Sequence, residues 1–151
     1  MLTDSDRRLL RQLLADPDQT ASELAERCAM TAATAGRRLD RLRVLGILKR
    51  QSARINWQAL GYSVKVSLRF SLDKTNARAF DEFLAEARNV PEVVEIQTFL
   101  GRVDVRLAVI ARDMAHYQDI YRSRILTLPH IADIEALVHV ATIKSVETLP
   151  I

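Results

Sequence analysis

Cysteine is nearly absent: Cys28 stands alone in 151 residues. A single thiol closes no internal disulfide framework and offers no cluster of soft metal donors, so a reducing compartment, the cytoplasm, is expected. Cys28 itself reads as a small apolar residue at a helix end. No apolar run approaches the roughly 18–20 residues of a membrane span, and the N-terminal stretch lacks a signal-peptide hydrophobic core. The three histidines, His116, His130 and His139, are scattered over helix, turn and strand without ligand spacing. Neither a metal nor histidine acid–base chemistry is expected from them, no cofactor is implied, and the chain is not expected to be an enzyme. Glycine and proline number only four each, and six of these eight (Pro17, Gly46, Gly61, Pro91, Gly101 and Pro129) fall where elements are expected to end.

What is present is an ordinary globular composition, 48% hydrophobic and 27% charged, with an uneven distribution of charge. Residues 1–60 hold 11 Lys+Arg against 7 Asp+Glu, whereas residues 61–151 hold 11 against 12. Between 31 and 54 the basic residues are Arg37, Arg38, Arg41, Arg43, Lys49, Arg50 and Arg54, faced by Asp40 alone. One segment is therefore suited to phosphates and the remainder to other work.

Residues 4–15 read as a first helix, with Asp4 or Asp6 at its positive end and Leu9, Leu10, Leu13 and Leu14 as its apolar face. Asp16-Pro17-Asp18 stops it. Thr20 with Glu23 makes a capping box for a short helix anchored by Leu24 and ending near Cys28. Ala29 and Met30 turn the chain, and Thr31 caps the next helix. On that helix Ala35, Leu39 and Leu42 form one stripe, while Thr34, Arg37, Arg38 and Arg41 form a second about a third of a turn away. A helix held by one face and basic on the adjacent one has the form of a major-groove reader. Gly46 ends it as a left-handed cap. Residues 47–55 then read as a basic hairpin, a wing, in which Lys49, Arg50 and Arg54 meet phosphates. Trp57, in the segment before Gly61, reads as packing a linker against a domain.

After Gly61 the hydrophobic period changes from 3.6 to 2. Tyr62, Val64, Val66, Leu68, Phe70 and Leu72 alternate as a half-buried strand. Thr75 is expected to cap a helix reaching about Arg88, with Phe80, Phe83, Leu84 and Ala87 inward. Strands on Val94, Ile96, Thr98 and Leu100, and on Val103, Val105, Leu107 and Val109, follow around Gly101. Asp113 caps a second helix with Tyr117, Ile120, Tyr121 and Leu126 or a residue beside it inward, and Ile134, Ala136, Val138, Val140 and Thr142 make the last strand. This βαββαβ order predicts an α+β chain: a winged helix–turn–helix followed by a ferredoxin-like split βαβ. The expected boundaries are 1–50, a linker at 51–61, and 62–151. Both helices of such a unit cover one sheet face. The other face, mixing Phe99, Ala108, Ile110, Leu137 and Ile143 with charged residues, predicts pairing with a second copy, which also supplies two reading helices.

Taken together, L-T-D-S-D-R-R-L-L-R-Q-L-L, S-E-L-A-E-R, T-A-A-T-A-G-R-R-L-D-R-L, L-G-I-L-K-R and the later F-L-G-R-V-D-V-R-L-A-V and I-K-S-V-E-T-L-P-I resemble the Lrp/AsnC family of transcription regulators. The resemblance covers nearly the whole chain and rests on the order and spacing of these segments. It implies double-stranded DNA as a partner, a C-terminal RAM domain binding a small-molecule effector such as an amino acid, and homodimers assembling into tetramers or octamers. Thr31, Thr34, Arg37, Arg38 and Arg41 fall on its recognition helix, with Arg38 matching the family's most typical arginine there. Gly101, Arg102 and Asp104 fall on the turn bordering its effector site, and Ile134 and Ala136 stand where the family often has ligand-binding hydroxyls. Siroheme decarboxylases resemble this family in fold but carry a V-S-H-N-Y-x-R-like motif; the comparable V-E-I-Q-T-F-L-G-R-V-D has no histidine. An effector-binding assembly protein with a vestigial DNA-binding helix is the third reading, one that replacing Arg38 and Arg41 would separate from the first.

Overall fold

The computed structural model describes residues 2–49 and 55–144. The chain divides into two compact units near residue 54.

The first unit holds three helices, α1 (Asp4–Ala15), α2 (Ala21–Arg27) and α3 (Ala32–Val44). Each begins on a threonine whose hydroxyl accepts a backbone N–H: Thr3 from Asp6, Thr20 from Glu23 and Thr31 from Thr34. At α1 and α2 the acidic residue returns the favour to the threonine N–H, completing capping boxes. The turn between α2 and α3 places Ala29 at φ 54°, and Cys28 beside it is buried. Leu9, Leu24, Ala25, Cys28, Ala35 and Leu39 make the core, with Leu13, Met30 and Leu48 packed at its margin. Leu14, expected inside, is exposed. α3 ends in a Schellman motif: Ile47 N–H bonds Leu42 C=O, Gly46 N–H bonds Arg43 C=O, and Gly46 takes φ 68°. Residues 47–49 of the expected wing are not in a strand, and residues 50–54, with Arg50 and Arg54, lie outside the described residues.

The second unit is a four-stranded antiparallel sheet formed by β1 (Val64–Leu72), β2 (Val93–Thr98), β3 (Val105–Ala111) and β4 (Ile131–Val138), in spatial order β2-β3-β1-β4. Helices α4 (Ala79–Ala87) and α5 (Met114–Ile120) complete the ferredoxin-like βαββαβ. Its core joins Val66, Leu68, Phe70, Leu72, Val105, Leu107 and Val109 of the sheet to Phe83, Ala87, Tyr117 and Ile120 of the helices. Phe70 and Phe83 meet at 4.9 Å between ring centres.

Three expectations shift here. Thr75 does not cap α4, because Asp73 accepts both its N–H and its hydroxyl; α4 starts at Ala79 with no side-chain cap, and Phe80 is exposed while Ala79 is buried. A bulge at Val93/Glu95 breaks the alternation of β2, so Val93 and Ile96 pack inward and Val94 is exposed. After α5 the backbone opens into one π-helical turn, Tyr121–Ile125, which advances the inner face by one residue. Ile125 is fully buried in consequence, and Leu126 is exposed. The last strand ends at Val138, leaving Val140 in solvent. Trp57 is half-exposed and meets Tyr62 edge to face at 6.4 Å.

Candidate nucleic-acid interface and effector groove

Burial of Ala35, Leu39 and Leu42 fixes the rotation of α3 about its own axis. The adjacent side presents Thr34, Arg37 and Arg41 near the surface, and Thr34 also accepts the hydroxyl proton of Thr31 at 2.9 Å. Arg37 is exposed and has no ion-pair or hydrogen-bond partner among the described residues. Lys49, beyond the helix, is exposed as well. Arg43 is held by Asp40 at 2.8 Å.

Arg38 departs from the expected arrangement. Its Nη1 donates to Asp6 Oδ1 at 2.9 Å and to the Thr3 hydroxyl at 3.0 Å, so its guanidinium is turned onto the N-terminus of α1. Arg41 lies 3.7 Å from the other oxygen of the same carboxylate while keeping half of its side chain in solvent. Asp6 itself is 1% exposed. Burial alone would raise its carboxyl pKa, but the Thr3 N–H, the Thr3 hydroxyl and the Arg38 guanidinium outweigh that and bring it down to about 2. A stripe drawn by helical period cannot reveal this partnership, which joins residues 32 positions apart. The available signal was the Thr3-x-x-Asp6 box, which places a carboxylate at a helix start.

On the second unit a groove of about 470 Å³ opens at one end of the sheet face away from the helices. It is lined by Arg69 and Ser71 of β1, Asp133 and Glu135 of β4, and Arg102 and Val103 of the β2–β3 turn. Arg69 pairs loosely with Glu135 at 3.5 Å, and the Ser71 hydroxyl donates to the Arg102 carbonyl at 2.7 Å. Neither the Arg102 guanidinium nor the Asp133 carboxylate has a partner among the described residues. Gly101 turns the chain into this rim at φ 152°, a conformation side chains disfavour.

Three of the residues expected at the effector site do not line this groove. Ile134 registers against Phe70 and packs into the helix-covered core. Ala136 registers against the fully buried Leu68 and so shares that inward parity. Their neighbours Asp133 and Glu135 take the groove instead. Asp104 is buried, and its carboxylate accepts the Leu72 N–H at 2.8 Å and pairs with Lys74 rather than with Arg102 or Arg106. The Lys74 ammonium and then the Leu72 N–H hold its pKa below the ordinary carboxylate value despite burial. Asp104 thus ties the β2–β3 turn to the end of β1 with its acceptors already used. Arg106 spans the open face, donating to Ser67 at 2.7 Å and Gln97 at 2.5 Å.

Known proteins carry the same two units in the same order. The winged helix-turn-helix DNA-binding family matches residues 2–49, and the Lrp/AsnC ligand binding domain matches residues 65–149. The chain belongs to the Lrp/AsnC family. It is a DNA-binding transcriptional regulator of that type. It is 27% identical over 132 residues to a proline dehydrogenase transcriptional activator of Rhodobacter capsulatus, covering 87% of this chain and 86% of that protein. Among solved structures it resembles a transcriptional regulator of Neisseria meningitidis in complex with L-Met, with TM-score 0.88 at 25% identity over 99% of this chain and 97% of that one. It also resembles a feast or famine regulatory protein of Mycobacterium tuberculosis complexed with L-methionine, with TM-score 0.84 at 27% identity over 99% of both chains. No helix among the described residues is long and apolar enough to cross a membrane.

Proposed function

We propose that this Lrp/AsnC regulator acts in the cytoplasm as a homodimer or larger assembly, reads duplex DNA sequence-specifically through α3, and is controlled by an amino acid held at the groove of its second unit. The observation that carries the reading is the division of labour on α3. Ala35, Leu39 and Leu42 fasten it to the core, and the Arg37 guanidinium, without a partner among the described residues, projects beside Thr34 on the exposed side. An unpaired guanidinium on a firmly held helix has its fork available for the two acceptors of a guanine edge. Thr31 and Lys49 extend this surface toward phosphates, and the sequence adds two further cations, Arg50 and Arg54, just beyond Lys49.

The groove favours a zwitterion. An amino acid leaving water must have both its ammonium and its carboxylate satisfied, and the Asp133 carboxylate and Arg102 guanidinium, neither partnered among the described residues, supply one charge of each sign. Pairing of two copies through the exposed Phe99, just past β2, and Leu137 of β4 sets two α3 helices on one duplex. The experiment is a gel-shift titration of the full chain on the promoter beside its own gene, with a random duplex of equal length as competitor. Preferential retardation supports the reading. Binding that does not distinguish the two duplexes refutes it.

A further inference from the structure

We propose that Asp6 is a positioning residue for DNA readout: it withdraws Arg38 from the DNA face and locks the angle of α3 against α1, leaving Arg37 as the arginine that reads sequence. The inference rests on the regulator reading above and adds which guanidinium does what.

The geometry is specific. The Asp6 carboxylate is out of solvent, and both of its oxygens are engaged from two directions. From α1 come the N–H and hydroxyl of Thr3, at 2.9 and 2.7 Å. From α3 come Arg38 at 2.9 Å and the flank of Arg41 at 3.7 Å. A buried carboxylate that loses Arg38 keeps only the looser Arg41 at 3.7 Å, so moving Arg38 onto DNA means breaking the closer of its two ion pairs. Arg37, one residue earlier, faces no such opposing cost, having no partner among the described residues to leave. Because the bond joins the middle of α3 to the first turn of α1, it also restrains a rotation of α3 that the three apolar contacts resist only by packing. Sequence readout depends on that rotation, since base-edge hydrogen bonds tolerate little misplacement, whereas phosphate contacts tolerate more.

The test measures affinity of the full chain for its operator and for a random duplex, by fluorescence anisotropy, for the native protein, Asp6→Asn and Arg37→Ala. Asp6→Asn removes the negative charge and so weakens the hold on Arg38 from an ion pair to a neutral hydrogen bond at most. If Arg38 were itself the reader, that change would keep or tighten operator binding. On the present proposal it lowers the ratio of operator to random affinity at least tenfold while random-duplex affinity holds or rises. Arg37→Ala lowers the same ratio with Asp6 intact. A native ratio well above one with the Asp6→Asn ratio unchanged overturns the proposal alone; a native ratio of one overturns the regulator reading first. Should Asp6→Asn fail to fold, guanidinium NMR of the native complex decides. The Arg38 Nη protons then stay hindered and unshifted on adding operator while those of Arg37 shift, and the opposite pattern overturns the proposal.

Discussion

The ion pair that fixes α3 also makes the first unit acid-sensitive in a calculable way. Asp6 has an ordinary carboxyl value of 3.8 and is held at about 2 in the folded chain. Since folding lowers the value, the ionised form favours the native state: the contribution is essentially complete above about pH 5, shrinks as pH falls through 3.8, and is gone below about 2. At roughly 1.36 kcal/mol per pH unit of displacement, the full contribution is about 2 kcal/mol, and about half of it is lost by pH 3. Little discount for solvent screening applies to Asp6, which is 1% exposed. The perturbation is Asp6→Asn, which keeps the shape of the side chain and removes its titration. The assay is urea denaturation followed by helical circular dichroism at pH 6, 5, 4 and 3. Other carboxylates depressed on folding, Asp104 and Asp73 among them, titrate equally in both proteins and cancel in the difference. The native chain should lose about 1 kcal/mol more than the variant between pH 5 and pH 3. Parallel stability curves over that range would refute the account of Asp6.

Thr20→Ala removes the hydroxyl that accepts the Glu23 N–H and should cost about 0.5–2 kcal/mol in urea melts, with Thr20→Ser restoring most of it. Ile125→Ala and Leu126→Ala form a contrasting pair: the first empties a fully buried site and should cost about 2–5 kcal/mol, the second well under 1 kcal/mol. Equal losses would mean that the π-helical turn is misplaced. Arg102→Ala and Asp133→Asn should each abolish the thermal stabilisation that a responding amino acid confers on the native chain, while leaving operator affinity without ligand unchanged.

Most of the fold was legible in the residues because local chemistry and burial agree. The threonine caps at Thr20 and Thr31, the left-handed Gly46 and the Ala35–Leu39–Leu42 stripe all occur as the pattern requires. The misses share one cause, a single-residue change of phase that periodicity cannot register. The bulge at Val93/Glu95 exchanges Val94 for Val93, and the π-turn exchanges Leu126 for Ile125. Asp73 intercepts Thr75 and delays α4, a competition between a loop bond and a cap that composition does not rank. At the sites, alternation along β4 already set Ile134 and Ala136 on the strand parity opposite to Asp133 and Glu135, and it is the latter two that line the groove. Asp133, Ser71 and Arg69 went unnamed because only the β4-β1-β3 order brings them beside Arg102. The Arg38–Asp6 and Asp104–Lys74 pairs are invisible for the same reason: each joins residues about 30 positions apart.

The central claim is that α3 meets DNA through Arg37, the guanidinium on its exposed side without a partner among the described residues. Its most direct test is the salt dependence of operator binding by the native chain and by Arg37→Ala, measured by anisotropy from 50 to 300 mM KCl. The account predicts that Arg37→Ala weakens operator binding by about 1–3 kcal/mol, reducing the preference over random duplex while altering the salt slope by no more than about one. Operator affinity, preference and slope all unchanged by the substitution would contradict it.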